Sequence, residues 1–141
     1  ITQGEAFLKR ALVTQRMGRY ACEAAIAQIH ATAQRPEKTD WARIVHLYDA
    51  LLEINSSPIV ELNRAAAIAM RDGPAAGLAF MDDIIRRGVL SDYRFAHAAR
   101  ADMCRRLGRN DEARSAYAQA LELTQQEAER RYIAGRMAEL E

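Results

Sequence analysis

The sequence has little cysteine, proline or aromatic residue and almost no net charge. Its 141 residues include two cysteines, three prolines and seven glycines, and aromatic residues make up 6%. Two cysteines that form no CxxC pair exclude a disulfide-rich scaffold and a zinc finger. Because 20 basic side chains face 19 acidic ones, the surface as a whole does not attract nucleic acid or anionic lipid, and such a partner requires a local patch.

Long apolar runs are absent as well. The longest uncharged stretches, such as residues 24–34, are too short to cross a bilayer and contain glutamine and histidine. The first ten residues lack the apolar core of a signal peptide, and the chain opens on Ile1 without a methionine. We therefore expect no membrane span, and we expect a cytoplasmic fragment whose N-terminal part is missing.

Alanine, by contrast, is abundant, with 28 residues among the 141. Half of the residues are hydrophobic and 28% are charged, a balance typical of globular proteins and not of disordered chains. Much alanine combined with little glycine and proline favours helix over sheet. These proportions predict a single all-α domain over residues 1–141.

The apolar residues recur with helical spacing between breaks that contain glycine, proline or polar residues. This pattern predicts about eight helices, joined by short turns such as a polar one at residues 35–38. Short turns predict a right-handed stack of antiparallel hairpins. The predicted elements are a first helix at 4–17, hairpins at 20–54, 58–87 and 93–124, and a capping helix at 127–140. The first helix is predicted to end at Gly18, and its apolar stripe consists of Ala6, Phe7, Leu8, Ala11 and Leu12.

The hairpins repeat a sequence pattern. Tyr48 and Tyr117 occur in similar contexts 69 residues apart, which is two periods of the roughly 34-residue tetratricopeptide repeat. We therefore expect both tyrosines at equivalent buried positions in a tetratricopeptide-like superhelix. The middle unit has Gly73 at its turn, and we expect Phe80 to replace the packing tyrosine there. The alternative is a generic antiparallel bundle whose alanines reflect helix propensity alone.

The sequence predicts no catalytic, cofactor-binding or metal site. His30, His46 and His97 form no pair at the spacing of metal ligands on a helix, and no phosphate-binding glycine loop occurs. Cys22 and Cys104 have no local signature of a reactive thiol, so we expect both to be small core residues. The domain is therefore expected not to be an enzyme.

Arginine dominates the positive charge, with 18 of the 20 basic residues. Guanidinium groups bind carboxylate or phosphate through paired hydrogen bonds, so partner contacts are one interpretation of the clusters. The alternative is that they are solvated helix ends, where a cation also interacts favourably with the helix dipole. The clusters are Arg86–Arg87, Arg105–Arg106–Arg109 and Arg130–Arg131.

The first helix of each hairpin lines the concave face of a tetratricopeptide array, where partner peptides usually bind. The repeat pattern predicts six interaction residues on this face or at its edge. Alternatively, Asn63 serves only to satisfy backbone groups between hairpins. The six residues are Asn63, Arg64, Arg71, Asp102, Arg105 and Arg106.

An ordered set of short motifs over nearly the whole chain resembles one known family. The family is the C-terminal extension of a group of extracytoplasmic-function (ECF) RNA polymerase sigma factors. The set is specific in its order, although each motif alone is weak. The motifs are Asp40-Trp41, Ile44, Leu47-Tyr48-Asp49, Ser57-Pro58, Leu62-Asn63-Arg64-Ala65, Gly73-Pro74-Ala75-Ala76-Gly77-Leu78, His97-Ala98-Ala99-Arg100-Ala101-Asp102, Leu107-Gly108-Arg109 and Glu127-Ala128-Glu129-Arg130-Arg131.

The resemblance implies a regulatory domain fused behind two sigma regions that bind core polymerase and the promoter. Those two regions are absent from this chain. The implied function is a non-catalytic interaction domain that controls transcription initiation by contacting its own sigma regions or RNA polymerase, while promoter DNA is bound through the upstream regions. The repeat pattern alone fits equally a free-standing adaptor that binds an unrelated protein or peptide.

Overall fold

The computed structural model describes the backbone of residues 3–33 and 38–140 and the side chains of residues 16–33 and 38–140. The apolar stripe predicted for the first helix and residues 35–37 of the predicted polar turn lie outside these ranges. No helix within the described ranges is long and apolar enough to cross a membrane.

The described residues form seven helices and no strand, which confirms the predicted all-α stack of helical hairpins. Each helix packs against the next one along the chain, and α3 also contacts α5. The handedness of the stack stays a prediction. The helices are α1 (Gln3–Thr32), α2 (Trp41–Ile54), α3 (Pro58–Asp72), α4 (Pro74–Arg86), α5 (Arg94–Arg106), α6 (Asn110–Leu123) and α7 (Glu127–Ala138).

The predicted helix end at Gly18 is wrong, because α1 continues through this residue as one helix. Gly73, Gly88 and Gly108 have the positive φ that ends helices, whereas Gly18 does not. A Cβ at Gly18 would lie 3.1 Å from Cδ1 of Ile54 at the end of α2. Gly18 therefore allows close packing of α1 on α2, and the two predicted helices at 4–17 and 20–34 are one.

Other helix ends follow the local signals in the sequence. The Asp40 side chain caps α2 by accepting a hydrogen bond of 3.1 Å from the Arg43 backbone N–H. Pro58 is the first residue of α3, where its missing N–H removes no helical bond. Gly73, with a φ of 104°, makes the sharp turn between α3 and α4.

A repeated set of three core positions marks α2, α4 and α6. Tyr117 is 1% exposed as expected, whereas Tyr48 is only partly buried. In the middle unit Met81 is fully buried, but Phe80 is 45% exposed, so the prediction for Phe80 is wrong by one residue. The sets, each with the spacing i, i+4, i+7, are Ile44, Tyr48 and Leu51; Gly77, Met81 and Ile84; and Ala113, Tyr117 and Ala120.

Small residues bring α3 and α4 into close contact at Gly77. A Cβ at this position would lie 2.4 Å from the Ala69 Cβ and 2.7 Å from the Ala65 carbonyl oxygen. Both alanines are at most 3% exposed. A larger side chain at any of the three positions therefore pushes the two helices apart.

Helix α3 contributes to two groups of buried residues. Ala67 and Ile68 pack with residues of α1 and α2, including Ile26 and Ile44. On its other side α3 contributes to a larger group that reaches α7 at Ile133. The core is therefore continuous along the stack through α3.

We predict that Gly77→Ala lowers the free energy of unfolding by about 1–3 kcal/mol, the usual cost of overpacking. The matched control is Gly135→Ala in α7, where an added Cβ meets nothing within 4 Å. The control should raise the free energy of unfolding by about 0.5–1 kcal/mol, because alanine favours helix. Urea unfolding measures both values. A Gly77→Ala variant as stable as the wild type would contradict the close contact.

Candidate interaction groove between α5 and α7

A cavity of about 340 Å³ opens between α5 and α7, with the end of α6 as its floor. We call it the α5–α7 groove. Its lining is mainly apolar, with a few polar groups, a composition typical of binding sites. Its principal residues are Phe95, Ala98 and Asp102 of α5, Tyr117 of α6, and Tyr132 and Ile133 of α7.

Helix α7 is held in place by Arg130. One guanidinium nitrogen of Arg130 donates to the backbone oxygens of Leu121 and Thr124, each at 2.8 Å. These carbonyls stand at the C-terminal end of α6, where the Leu121 oxygen also accepts from the Thr124 N–H at 3.2 Å. Arg130 therefore joins α7 to α6 and fixes one wall of the groove.

The floor of the groove contains a small polar network. The Tyr117 hydroxyl donates a hydrogen bond to the Asp102 carboxylate and accepts one from Arg105 Nε at 3.3 Å. Burial, together with the hydrogen bond to Asp102, raises the pKa of Tyr117 to about 12. Because the Tyr117 hydroxyl is already bonded to Asp102 and Arg105, it does not act as a free polar group in the cavity.

Two aromatic side chains stand at the rim of the groove. Phe95 is 48% exposed and Tyr132 is 58% exposed. The Arg94 guanidinium lies 4.5 Å from the centre of the Phe95 ring, and it also pairs with Glu129 of α7 at 3.0 Å. Exposed aromatic side chains beside an apolar cavity are typical of protein-binding surfaces.

Three of the six predicted interaction residues lie on α5 near this groove. Asp102 lines the groove, and Arg105 contacts the Tyr117 hydroxyl. Arg106 lies one turn beyond Asp102 and places a guanidinium nitrogen 3.6 Å from the sulfur of Met70 in α3. Asp102 and Arg105 thus meet at the Tyr117 hydroxyl, whereas Arg106 contacts α3.

Two of the three predicted residues of α3 pair with carboxylates of the domain, whereas Asn63 lines a pocket together with Met70, the residue that Arg106 contacts. Asn63 faces pockets that α3 shares with α1 and α2. Arg64 binds Asp49 of α2 and lies 5.0 Å from the ring centre of Phe80 in α4. Arg71 pairs with the adjacent Asp72 at 2.7 Å. Adjacent residues of a helix point in directions about 100° apart, so Asn63 and Arg64 face different neighbours.

The arginine clusters are largely engaged within the domain. Arg87 pairs with Glu61 at 2.9 Å, and Arg109 pairs with Glu112 at 2.6 Å. Arg130 is bound to backbone oxygens as described above. These three side chains therefore serve the packing of neighbouring elements, whereas Arg106 is exposed and has no carboxylate partner among the described residues.

The histidines and cysteines occupy separate places. Cys104 is fully buried, and burial raises the pKa of its thiol, as expected for a core residue. Cys22 is partly buried. His97 is 5% exposed, with Nε2 bonded to the Ser91 carbonyl at 2.8 Å and Nδ1 unpaired. Within the described ranges, no three His, Cys, Asp or Glu side chains are grouped as metal ligands.

Sequence reasoning missed Phe95 at the rim, and its prediction that Tyr132 turns inward from the capping helix is wrong, because Tyr132 is 58% exposed. One signal was present, since Phe95 precedes Ala98 by three residues and therefore shares a helix face with it. A bulky residue beside a small one on the same face indicates a depression when a further helix packs alongside. Finding the cavity also required the position of α7.

Comparison with known proteins finds a relative in Rhizobium meliloti (strain 1021) that is described as an uncharacterized protein. It is 43% identical to this chain over 133 residues. The match covers 94% of this chain but 31% of the relative, so the chain spans about a third of the relative's length. No family model and no solved structure matches the chain.

We predict that stability falls as the pH rises from about 10 to 12, in part through Tyr117. The folded pKa of about 12 lies above the ordinary tyrosine value of 10.0, so the unfolded chain releases this proton first and unfolding becomes more favourable as the pH rises. Tyr117→Phe removes this contribution and should show a shallower loss of stability over the same range. Urea midpoints at pH 8 and pH 11 measure it, with Tyr132→Phe as the exposed control. Equal slopes for Tyr117→Phe and wild type would contradict the shifted pKa.

Proposed function

We propose that this chain is a non-catalytic protein-interaction domain that regulates an ECF sigma factor in transcription initiation. In this proposal it acts in the cytoplasm and contacts the sigma regions of its own polypeptide or core RNA polymerase. The identity of the regulated protein is proposed from the ordered motifs that resemble the C-terminal extension of such factors. The mode of action is proposed from the surface of the domain.

The observation that carries the interaction role is the α5–α7 groove. It combines an apolar cavity with exposed aromatic side chains at Phe95 and Tyr132. Contacts of this kind dominate the binding energy of protein interfaces, because they remove large apolar areas from water. An apolar cavity with exposed aromatic side chains at its rim suits a polypeptide segment of a partner.

The length of the relative supports a domain attached to other segments. More than two thirds of the Rhizobium meliloti protein lies outside the matched part. A unit of about 130 matched residues within a longer chain is what a regulatory domain fused to other regions requires. The proposal assigns the sigma regions to such additional segments.

The distribution of charge supports contact with protein and not with promoter DNA. Positive and negative side chains are interspersed and paired, as in Arg87 with Glu61 and Arg100 with Asp82. DNA binding depends on many guanidinium and ammonium groups that are free to reach phosphates. A formal net charge of +1 provides no such excess.

We predict that the reading frame upstream of Ile1 encodes two sigma-like regions and that these regions bind this domain in trans. Titration calorimetry with the separately purified regions, and in parallel with core RNA polymerase, measures the binding. The domain alone should show no sequence-selective binding to promoter DNA at physiological salt, because its formal net charge is only +1.

Two results would contradict the proposal. One is an upstream frame without sigma-like regions, which would favour an adaptor that binds an unrelated protein. The other is sub-micromolar, sequence-selective binding of promoter DNA by the isolated domain. If the sigma regions do not bind but core polymerase does, polymerase is the partner within the proposed function.

A further inference from the structure

We infer that the α5–α7 groove binds a protein segment with two chemical features. A bulky apolar side chain enters the cavity, and a carboxylate two to four residues away pairs with Arg106. The inference rests on the proposed function, because it specifies the chemistry of the partner at the same site.

The cavity defines the apolar feature. Its volume of about 340 Å³ is at the lower end of the range of roughly 300–1,000 Å³ found for ligand pockets. That size suits one large side chain better than an extended organic molecule. The Tyr117 hydroxyl at its floor is already bonded to Asp102 and Arg105. An entering group therefore gains mainly from removing apolar surface from water.

The charges around the groove define the second feature. Arg94 is paired with Glu129 across the groove at 3.0 Å, and Asp102 lies 4.0 Å from Arg105. These four groups compensate one another in two pairs. Arg106 is exposed and has no carboxylate partner in the part of the chain that the structure describes. Its uncompensated positive charge favours an acidic residue in the partner.

The distance between the cavity and Arg106 sets the spacing of the two features. Along α5, Arg106 lies four residues beyond Asp102 and eight beyond Ala98, which is about 6–12 Å at 1.5 Å per residue. An extended segment advances about 3.3 Å per residue. The carboxylate is therefore expected two to four residues from the apolar anchor.

Short synthetic peptides of fixed composition test the inference with the whole domain. The probe is a capped glycine–serine peptide that contains one tryptophan with a glutamate three positions away on each side, so that either chain direction fits. One comparison peptide replaces both glutamates by lysine, and another replaces the tryptophan by alanine. Binding is measured by NMR titration up to millimolar concentration, with assigned amide signals of α5, α6 and α7.

The glutamate peptide should shift signals around the groove, and both comparison peptides should bind at least about fivefold more weakly. Phe95→Ala should weaken binding of the glutamate peptide by about fivefold to tenfold, since aromatic rim residues carry much of the binding energy. The matched control is Phe80→Ala, because Phe80 is 45% exposed against 48% for Phe95 but lies on α4. The control should bind the peptide as the wild type does.

Arg106→Ala should weaken binding of the glutamate peptide by about threefold to fivefold. The weak binding of the lysine peptide should stay the same or become stronger. Arg131→Ala is its control, since Arg131 is an exposed arginine that pairs with Glu127. Thermal unfolding of each variant establishes that the fold is retained.

The inference is overturned if neither peptide binds, if glutamate and lysine peptides bind equally, or if Arg106→Ala has no effect. It is also overturned if sedimentation shows that Phe95 mediates a dimer, because a second copy then covers the groove. The peptide test does not involve sigma regions. If the domain binds the peptide but neither the sigma regions nor polymerase, the proposed function alone is refuted. If the domain binds the sigma regions and Phe95→Ala does not weaken peptide binding, this inference alone is refuted.

Discussion

The close approach of α3 and α4 at Gly77 is the contact on which the rest of the stack depends. Ala65 and Ala69 leave no room for a Cβ on the opposing helix, so the backbones themselves are in contact. This contact fixes how α3 lies against α4. Because α3 contributes residues to both groups of buried residues, the contact also positions both groups. The abundance of alanine has the same meaning, because small side chains at helix contacts allow the larger ones to fill the spaces between pairs.

Local signals in the sequence predicted the helix ends where the signal acts on the backbone directly. Asp40, Pro58 and Gly73 act in this way, through a cap, a fixed φ and a positive φ. Gly18 is the same residue type as Gly73, yet it lies inside a helix, because its role is to make room for Ile54. Sequence alone does not distinguish a glycine that turns the chain from one that admits a neighbour.

The candidate site was predictable only in part, for a related reason. Charge and repeat spacing identified Asp102, Arg105 and Arg106 on one helix, and in the structure Asp102 and Arg105 meet at the Tyr117 hydroxyl. Phe95 was missed and Tyr132 was wrongly expected to turn inward, because exposure of an aromatic residue depends on how distant segments pack. The one-residue error at Phe80 has the same origin, since Phe80 and Met81 are both large and apolar and only the angle between α3 and α4 decides which is buried.

Helix α7 is attached more lightly than the other wall of the groove. Of its residues, all of which the structure describes, Ile133 alone is buried, and Arg130 provides the polar link to α6. Helix α5, in contrast, has five buried residues. The position of this wall therefore depends mainly on Ile133 and on the hydrogen bonds of Arg130. A substitution at either residue would alter the width of the groove and leave the repeats that support it in place.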